Sequence, residues 1–307
     1  MTKIDSNTLF QAEWPESTQP TIFGKIAETL FLFTPIGIIH SIAFWVGRFL
    51  IHPASATHLI DEEARERLLS LGGRVVEFKT PDGETLEGLL FKSRIGSGKG
   101  VVCALGNYYC FEHGSDQVKF FREQFADADL LVLNYRGVGK STGSSSPRGL
   151  ALDVYTACEY LHKVHDVDPS QEIVYGHSLG GYAAVKGGAL FQKAHPDKRV
   201  SVASDRSFAT LSEAANLIAG YFFYLLAFLL RWELDARKDW DVFRGKKVVI
   251  YDKQDGIIPF PVSFFKAVKE SPGTCFIEMR SEGHQWIDPH LRPFTSSEAC
   301  EIGCALS

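Results

Sequence analysis

The stretch Ile173-Val174-Tyr175-Gly176-His177-Ser178-Leu179-Gly180-Gly181 decides the fold. Its apolar, β-branched beginning predicts a strand, and the helix formers of residues 182–186 predict a helix directly after it. Gly176 and Gly180 flank Ser178 at the spacing G-x-S-x-G, which is typical of a sharp turn that lifts a serine hydroxyl above the end of a sheet. A small-residue turn that merely contains a serine is the alternative. The strand and the helix on either side favour Ser178 as a nucleophile.

Seven other strand-like runs surround this stretch and alternate with helical segments. The first two flank Pro81-Asp82-Gly83, which suits a turn, and they therefore predict an antiparallel hairpin at a sheet edge. The later runs are short and apolar, and the helices between them call for parallel βαβ connections. The runs lie at 74–80, 85–92, 101–105, 130–133, 199–203, 246–251 and 274–279. With residues 173–175 they predict an α/β fold whose eight-stranded, mostly parallel sheet carries helices on both faces.

Two apolar segments lie outside this strand pattern. Residues 1–72 are expected to form an extension before the α/β domain at 73–307, and within it residues 29–47 carry no Asp, Glu, Lys or Arg. This length is near the minimum of about 17 to 25 residues for crossing a bilayer. Because Pro and Gly interrupt the run, three interpretations stay open: a spanning helix, a helix in the membrane interface, or a helix packed on the domain itself. The second segment, 217–230, lies in an insertion at about 207–240 and predicts a core or interfacial helix.

Composition and charge narrow the functional classes. The net charge of −5 over 307 residues gives no reason to expect a nucleic-acid partner. The six cysteines show neither a C-x-x-C pair nor a Cys/His cluster at metal spacing, which predicts reduced thiols and no metal. The polar first twenty residues lack the layout of a secretory signal, so a cytoplasmic location is expected. Gly139-Lys140-Ser141 suggests a phosphate-binding loop, but Asn134 stands where that pattern needs a Gly, and nucleotide binding is not expected.

A serine hydroxyl needs an adjacent base, usually a His oriented by a carboxylate, before it can attack a carbonyl. Asp255 follows the strand-like run at 246–251, and His284 follows the run at 274–279. With the G-x-S-x-G turn and this order, the chain resembles the serine hydrolases of the α/β-hydrolase fold over about residues 74–289. The resemblance implies Ser178 as nucleophile, Asp255 as acid and His284 as base, with no cofactor.

Other side chains compete for the roles of acid and base. Asp252 lies nearer to its strand, but Asp255 begins a D-x-x-x-P loop like that of the family. Asp205 follows the strand-like run at 199–203, where some families carry the acid, and it stays open as a reserve. Among the other histidines, His177 lies inside the turn and would point into the sheet, and His113 lies in an upstream loop.

The tetrahedral intermediate of acyl transfer needs two aimed N–H donors. Within the resemblance, the backbone of Leu179 is the first, because it directly follows the nucleophile. The second is expected in the loop after residues 101–105. Family members often carry His-Gly there, whereas this chain has Leu105-Gly106-Asn107, so Asn107 is assigned as the second donor, with Tyr108 as the next candidate.

The last four residues, Cys304-Ala305-Leu306-Ser307, match the C-a-a-X pattern for prenylation, and the terminal Ser favours a farnesyl group. A chance match is the alternative. One lipid holds a protein only weakly, so a second signal is expected, and Cys300 is the candidate for palmitoylation. These features predict recognition by a prenyltransferase and association with a cytoplasmic membrane face.

Together these features predict a serine hydrolase that cleaves an ester or thioester of a lipid or acylated substrate at a membrane surface. The insertion at about 207–240 lies where hydrolases of this fold often carry a lid, and a helix that merely completes the core is the alternative. A soluble peptidase or small-ester hydrolase is the alternative within enzymes. A non-catalytic scaffold that recruits a partner to membranes is the alternative outside them.

Overall fold

The structure is a computed structural model that describes residues 60–210, 213, 235–279 and 294–306. Its strands are β1 (Arg74–Lys79), β2 (Thr85–Phe91), β3 (Gly100–Ala104), β4 (Asp129–Leu133), β5 (Glu172–His177), β6 (Ser201–Asp205), β7 (Lys247–Tyr251) and β8 (Thr274–Glu278). They form one sheet in the order β1-β2-β4-β3-β5-β6-β7-β8. The pairs β1/β2 and β2/β4 are antiparallel, and the others are parallel. The predicted eight-stranded, mostly parallel sheet with a hairpin at its edge is confirmed.

Helices connect the parallel strands and cover the sheet. In the described part of the chain they are α1 (Glu62–Ser70), α2 (Ser115–Gln124), α3 (Pro147–His165), α4 (Leu179–Ala194), α5 (Arg237–Trp240), α6 (Phe264–Val268) and α7 (Ser296–Leu306). The longest, α3, begins where the Ser146 side chain accepts a hydrogen bond from the backbone N–H of Gly149, with proline as the first helical residue. It ends at Asp166, which adopts the left-handed conformation.

Alternation along the central strands divides the apolar side chains between two cores. All five residues of β3 are buried, which explains its continuous apolar sequence. Val102 belongs to the core under α3 and α4, whereas Val101 and Cys103 belong to the core under α1, α2 and α7. Helices therefore lie on both faces of the sheet, as predicted.

The strand β6 is shifted by two residues from its predicted run. The apolar pattern indicates a strand at 199–203, but β6 runs from Ser201 to Asp205. Pairing with β7 continues to the end of the strand, where Asp205 lies opposite Ile250, so hydrogen bonding carries the strand beyond its apolar residues. The carboxylate of Asp205 thus stands on the last residue of the strand.

The insertion after β6 is described only at its base. An isolated antiparallel bridge joins Thr210 to Asp235, which brings the two ends of the insertion together. The apolar segments predicted at 29–47 and 217–230 lie outside the described residues. Within the ranges that the structure describes, no helix has the length and apolar character needed to cross a membrane.

Candidate active site

The predicted turn between a strand and a helix is present at Ser178. This residue lies between β5 and α4, with φ 55° and ψ −121°. A side chain at Gly176 would meet the carbonyl oxygen of Gly180 at 2.0 Å, and one at Gly180 would meet the carbonyl oxygen of Ala104 at 2.0 Å. The two glycines of the G-x-S-x-G spacing are therefore required by close backbone approach. They allow the turn to hold Ser178 in a conformation that L-residues rarely adopt.

Hydrogen bonds from neighbouring elements hold the strained backbone of Ser178. Its N–H donates to the carbonyl oxygen of Asp205 at 2.9 Å. Its own carbonyl oxygen accepts hydrogen bonds from the N–H of Gly181 at 2.9 Å and from the Ser207 hydroxyl at 2.7 Å. Ser178 is 9% exposed. The surrounding fold thus fixes the conformation of the candidate nucleophile.

The two candidate oxyanion donors lie on either side of Ser178. Leu179 is the first residue of α4, where backbone N–H groups have no acceptor within the helix and the helix dipole favours negative charge. On the other side, a Cβ added to Gly106 would stand 3.5 Å from the Cβ of Ser178. Asn107, which is half-buried, follows at once. The loop after β3 therefore passes directly beside the nucleophile, as the prediction for Asn107 requires.

A buried ionic cluster anchors this loop, and sequence reasoning missed it. The Arg65 guanidinium, on α1, donates hydrogen bonds to Glu87 at 2.9 and 3.1 Å and also to Glu112 in the loop. All three side chains are at most 8% exposed. The side-chain amide of Asn134 donates to Glu87 at 3.3 Å, and its oxygen accepts from the N–H of Phe111 at 2.9 Å. The sequence could have suggested the cluster only through a match of Arg65 with carboxylates in distant segments. Charged residues on a helix such as α1 more often face solvent.

The candidate acid, Asp255, lies in the loop after β7 and is buried. Its Oδ1 accepts hydrogen bonds from the N–H groups of Ile257 at 2.9 Å and Ile258 at 2.7 Å. These bonds fix the carboxylate relative to its own loop. Asp252, the rival nearer to the strand, accepts a bond from the N–H of Gln254 at 2.8 Å and so forms a local turn.

The reserve acid, Asp205, is bound to two other side chains. Its carboxylate accepts hydrogen bonds from Arg206 at 2.8 and 2.9 Å and from the Tyr175 hydroxyl at 2.8 Å. Burial alone would raise the pKa of Asp205, but the Arg206 guanidinium, with His177 and Tyr175, lowers that pKa below its ordinary value. Both oxygens of Asp205 are therefore bound by neighbouring side chains, and the choice of Asp255 over Asp205 as the acid stays a prediction.

The proposed base, His284, lies outside the described residues. Of its rivals, His177 is the buried last residue of β5 and pairs in register with Asp205. His113 is exposed, and its Nδ1 lies 3.4 Å from the carbonyl oxygen of Tyr108. Ser178, Leu179, Asn107 and Asp255 thus gather at the carboxyl edge of the sheet, whereas the place of His284 rests on the order of residues alone.

The cysteines predicted to carry lipids lie on α7. None of the six cysteines forms a disulfide, and both Cys300 and Cys304 are exposed. Leu306, within the C-a-a-X segment, is 5% exposed and packs into the core under α2. Modification of Cys304 would therefore require the last turn of α7 to unwind. Prenylation and palmitoylation stay predictions.

The sheet order, the strained serine at the head of α4 and the loops beside it define an α/β hydrolase. The chain belongs to the family described as Chlamydia CHLPS protein (DUF818), whose model matches residues 94–258, more than half of the chain. This range includes the loop after β3, the turn at Ser178 and the loop that holds Asp255.

Curated relatives agree with this assignment. The α/β hydrolase domain-containing protein WAV2 of Arabidopsis thaliana is 27% identical over 180 residues, which are 52% of this chain and 56% of that protein. Protein bem46 of Schizosaccharomyces pombe is 33% identical over 93 residues, 30% of each chain. The chain thus spans little more than half of the first of these relatives and less of the second.

Solved structures share the fold. An α/β hydrolase from Vibrio vulnificus superposes with a TM-score of 0.59 at 20% identity, over 74% of this chain and 82% of that one. A Pyrococcus furiosus esterase superposes with a TM-score of 0.52 at 17% identity, over 68% of this chain and 83% of that one. At such low identities these likenesses concern the fold alone.

Proposed function

We propose that this α/β hydrolase cleaves a carboxylic ester or thioester through an acyl-enzyme on Ser178. The observation that carries the proposal is the backbone of Ser178, held at φ 55° between β5 and the first turn of α4. Such strain persists only where the surrounding structure maintains it, and it clusters at functional sites. The name of one relative, an α/β hydrolase domain-containing protein, and the esterase among the solved structures support the same class.

The proposed reaction has two steps. Ser178 Oγ attacks the carbonyl carbon while His284 takes its proton, and the oxyanion accepts hydrogen bonds from the N–H groups of Leu179 and Asn107. The bond to the leaving alcohol or thiol then breaks, and His284 returns the proton to that group. Water attacks the acyl-enzyme, again with His284 as base, and releases the acid and Ser178. Asp255 orients the imidazole and stabilises its protonated form.

A fluorophosphonate probe tests the nucleophile. We expect covalent labelling of the full chain at Ser178 and turnover of a p-nitrophenyl ester, and both should be lost in Ser178→Ala. The matched control is Ser70→Ala, since Ser70 is an exposed serine at the end of α1 and should not affect either measurement. A folded protein that shows neither labelling nor ester hydrolysis dependent on Ser178 would overturn the proposal in favour of a non-catalytic scaffold. Ser178-dependent cleavage of peptide amides would favour the peptidase alternative.

We further propose a lipid or acylated substrate at a cytoplasmic membrane face. The apolar insertion segment 217–230 and the C-a-a-X residues that begin at Cys304 support this finer proposal. Flotation of the full chain with liposomes, after expression in a cell that contains prenyltransferases, is the test. We expect Cys304→Ser to reduce flotation and Cys275→Ser, a change at an exposed cysteine on β8, to leave it unchanged. Equal flotation of both variants would show that no anchor at Cys304 is needed.

A further inference from the structure

Backbone strain in the described residues concentrates around Ser178. Four residues other than glycine have a positive φ, and one of them, Asp166, ends α3. The other three follow the neighbouring strands β3, β5 and β6: Tyr108 at 66°, Ser178 at 55° and Arg206 at 45°. The turn explains the strain at Ser178, whereas Tyr108 is an aromatic residue in a conformation that favours Gly and Asn. Tyr108 is therefore held in this conformation by its surroundings.

The loop around Tyr108 is anchored on both sides of it. Leu105 lies before it and Phe111 after it, and both are fully buried. The ring of Tyr109 stacks on the ring of His113, with centroids 5.4 Å apart. In contrast, Tyr108 itself is 53% exposed. The fold thus fixes the backbone of Tyr108 and leaves its ring in solvent, so the ring contributes little to the protein's own core.

Tyr108 lies two residues after Gly106, on the loop that passes beside the nucleophile. Gly106 passes beside the Cβ of Ser178, and consecutive Cα atoms are about 3.8 Å apart, so the Cα of Tyr108 lies at most about 7.6 Å from that of Gly106. Asn107, the candidate oxyanion donor, is its direct neighbour. An apolar ring held in solvent on the loop that passes beside the nucleophile is suited to contact the part of a substrate that extends from its carbonyl group.

We propose that Tyr108 is a specificity-determining residue whose ring packs against an extended apolar chain of the substrate. The inference rests on the proposed ester hydrolysis at Ser178 and deepens it by naming the substrate class, medium- or long-chain acyl esters and thioesters. A tyrosine suits this position because its ring face offers apolar area while its hydroxyl remains hydrated. The side chain, and not the backbone N–H, performs this role.

Substitutions separate the ring from the backbone. Tyr108→Asn removes the ring and keeps a residue that tolerates the left-handed conformation. Tyr108→Phe keeps the ring and removes the hydroxyl. The control is Ile95→Asn, because Ile95 is an exposed apolar residue in the loop before β3, at the opposite edge of the sheet. For each full-length variant, kcat/KM is measured with p-nitrophenyl octanoate and p-nitrophenyl acetate, and the selectivity is the ratio of the two values.

We expect Tyr108→Asn to lower the octanoate-to-acetate ratio about 10-fold, since the substrate chain loses its contact with an apolar ring. Tyr108→Phe and Ile95→Asn should keep the wild-type ratio. The labelling rates of Ser178 with long-chain and short-chain alkyl fluorophosphonates should show the same change. The inference would be overturned if Tyr108→Asn kept the wild-type ratio or lost kcat/KM equally with both esters. It would also be overturned if Tyr108→Phe lowered the ratio as much as Tyr108→Asn does. None of these outcomes would affect the proposed Ser178-dependent hydrolysis. Absence of that hydrolysis in the wild type would instead overturn the proposed function itself.

Discussion

Two loops at Ser178 are each bound to a buried guanidinium. The oxyanion flank is the loop after β3, and the acid flank comprises the segments after β6 and β7. The two arginines bind carboxylates that lie at different distances in the sequence. On the oxyanion flank, Arg65 joins Glu87 and Glu112, which lie 22 and 47 residues away in sequence. On the acid flank, Arg206 binds the carboxylate of its direct neighbour, Asp205. The first cluster connects α1, the sheet and a loop. The second joins β5 to the end of β6, because the Tyr175 hydroxyl donates to Asp205, and the Arg206 guanidinium lies 5.0 Å from the ring centroid of Phe294. Arg65 therefore pairs with two carboxylates from distant segments, whereas Arg206 pairs with the carboxylate of the adjacent residue.

The two flanks are expected to contribute differently to stability and to turnover. Removal of Arg65 would leave two buried carboxylates together, and the loop beside Ser178 would lose an anchor. On the acid flank, Oδ1 of the candidate acid Asp255 accepts hydrogen bonds from N–H groups of its own loop, and an Asn in its place keeps an oxygen that can accept them. We expect substitutions on the oxyanion flank to act mainly on stability and substitutions at Asp255 to act mainly on turnover.

The largest expected effect is on turnover. Asp255→Asn should lower kcat by about 10³- to 10⁴-fold, because an amide no longer selects the imidazole tautomer that accepts the serine proton. Asp205→Asn should lower kcat less than about 10-fold, because the Asp205 carboxylate binds Arg206 and Tyr175. Both values are measured with a p-nitrophenyl ester and corrected for the fraction of sites labelled by a fluorophosphonate. A larger loss in Asp205→Asn than in Asp255→Asn would assign the acid to Asp205.

The next effect is on stability. Arg65→Met should lower the free energy of unfolding by about 3–5 kcal/mol, the cost of leaving a partner of a buried ion pair uncompensated. Arg67→Met, two residues along the same helix, should change it by less than about 0.5 kcal/mol, because the Arg67 side chain is 46% exposed and pairs with exposed Glu63. Urea unfolding measures both. Equal changes in the free energy of unfolding of the two variants would show that the buried cluster stabilises the protein no more than an exposed ion pair does.

Much of the fold follows from patterns within single segments. The short apolar runs, the turn at Pro81-Asp82-Gly83 and the two glycines that flank Ser178 all predict structure from neighbouring residues, and they agree with the sheet that forms. The end of β6 differs because hydrogen bonds with β7 extend the strand into Asp205, beyond its apolar residues.

Less of the site than of the fold could be predicted from the sequence, for physical reasons. The contact of Arg65 with Glu112 forms only when distant segments meet, and no local pattern encodes it. The positive φ of Tyr108 and Arg206 also escaped prediction, because neither residue type favours that conformation. The role of His284 stays a prediction, since that residue lies outside the described ranges.

The smallest effect concerns a buried carboxylate without an arginine. Glu172 begins β5, at the end of the strand opposite Ser178, and its carboxylate is fully buried beside the Cys158 thiol. Burial raises its pKa well above the ordinary value of 4.5, so the folded state holds a proton that the unfolded state releases. Stability should therefore fall as pH rises above about 4.5, by at most about 1.4 kcal/mol per pH unit from this group, until the pH reaches the folded pKa.

Glu172→Gln keeps the shape of the side chain and removes its titration. Near pH 4 the variant and the wild type should have similar free energies of unfolding, and at pH 8 the variant should be more stable by about 1 kcal/mol or more. Urea unfolding at a series of pH values from 4 to 8 measures the difference. If the free energy of unfolding depends on pH in the same way in both proteins, Glu172 is ionised in the folded state. The carboxylate at the far end of β5 would then not differ in protonation from the arginine-paired carboxylates beside Ser178.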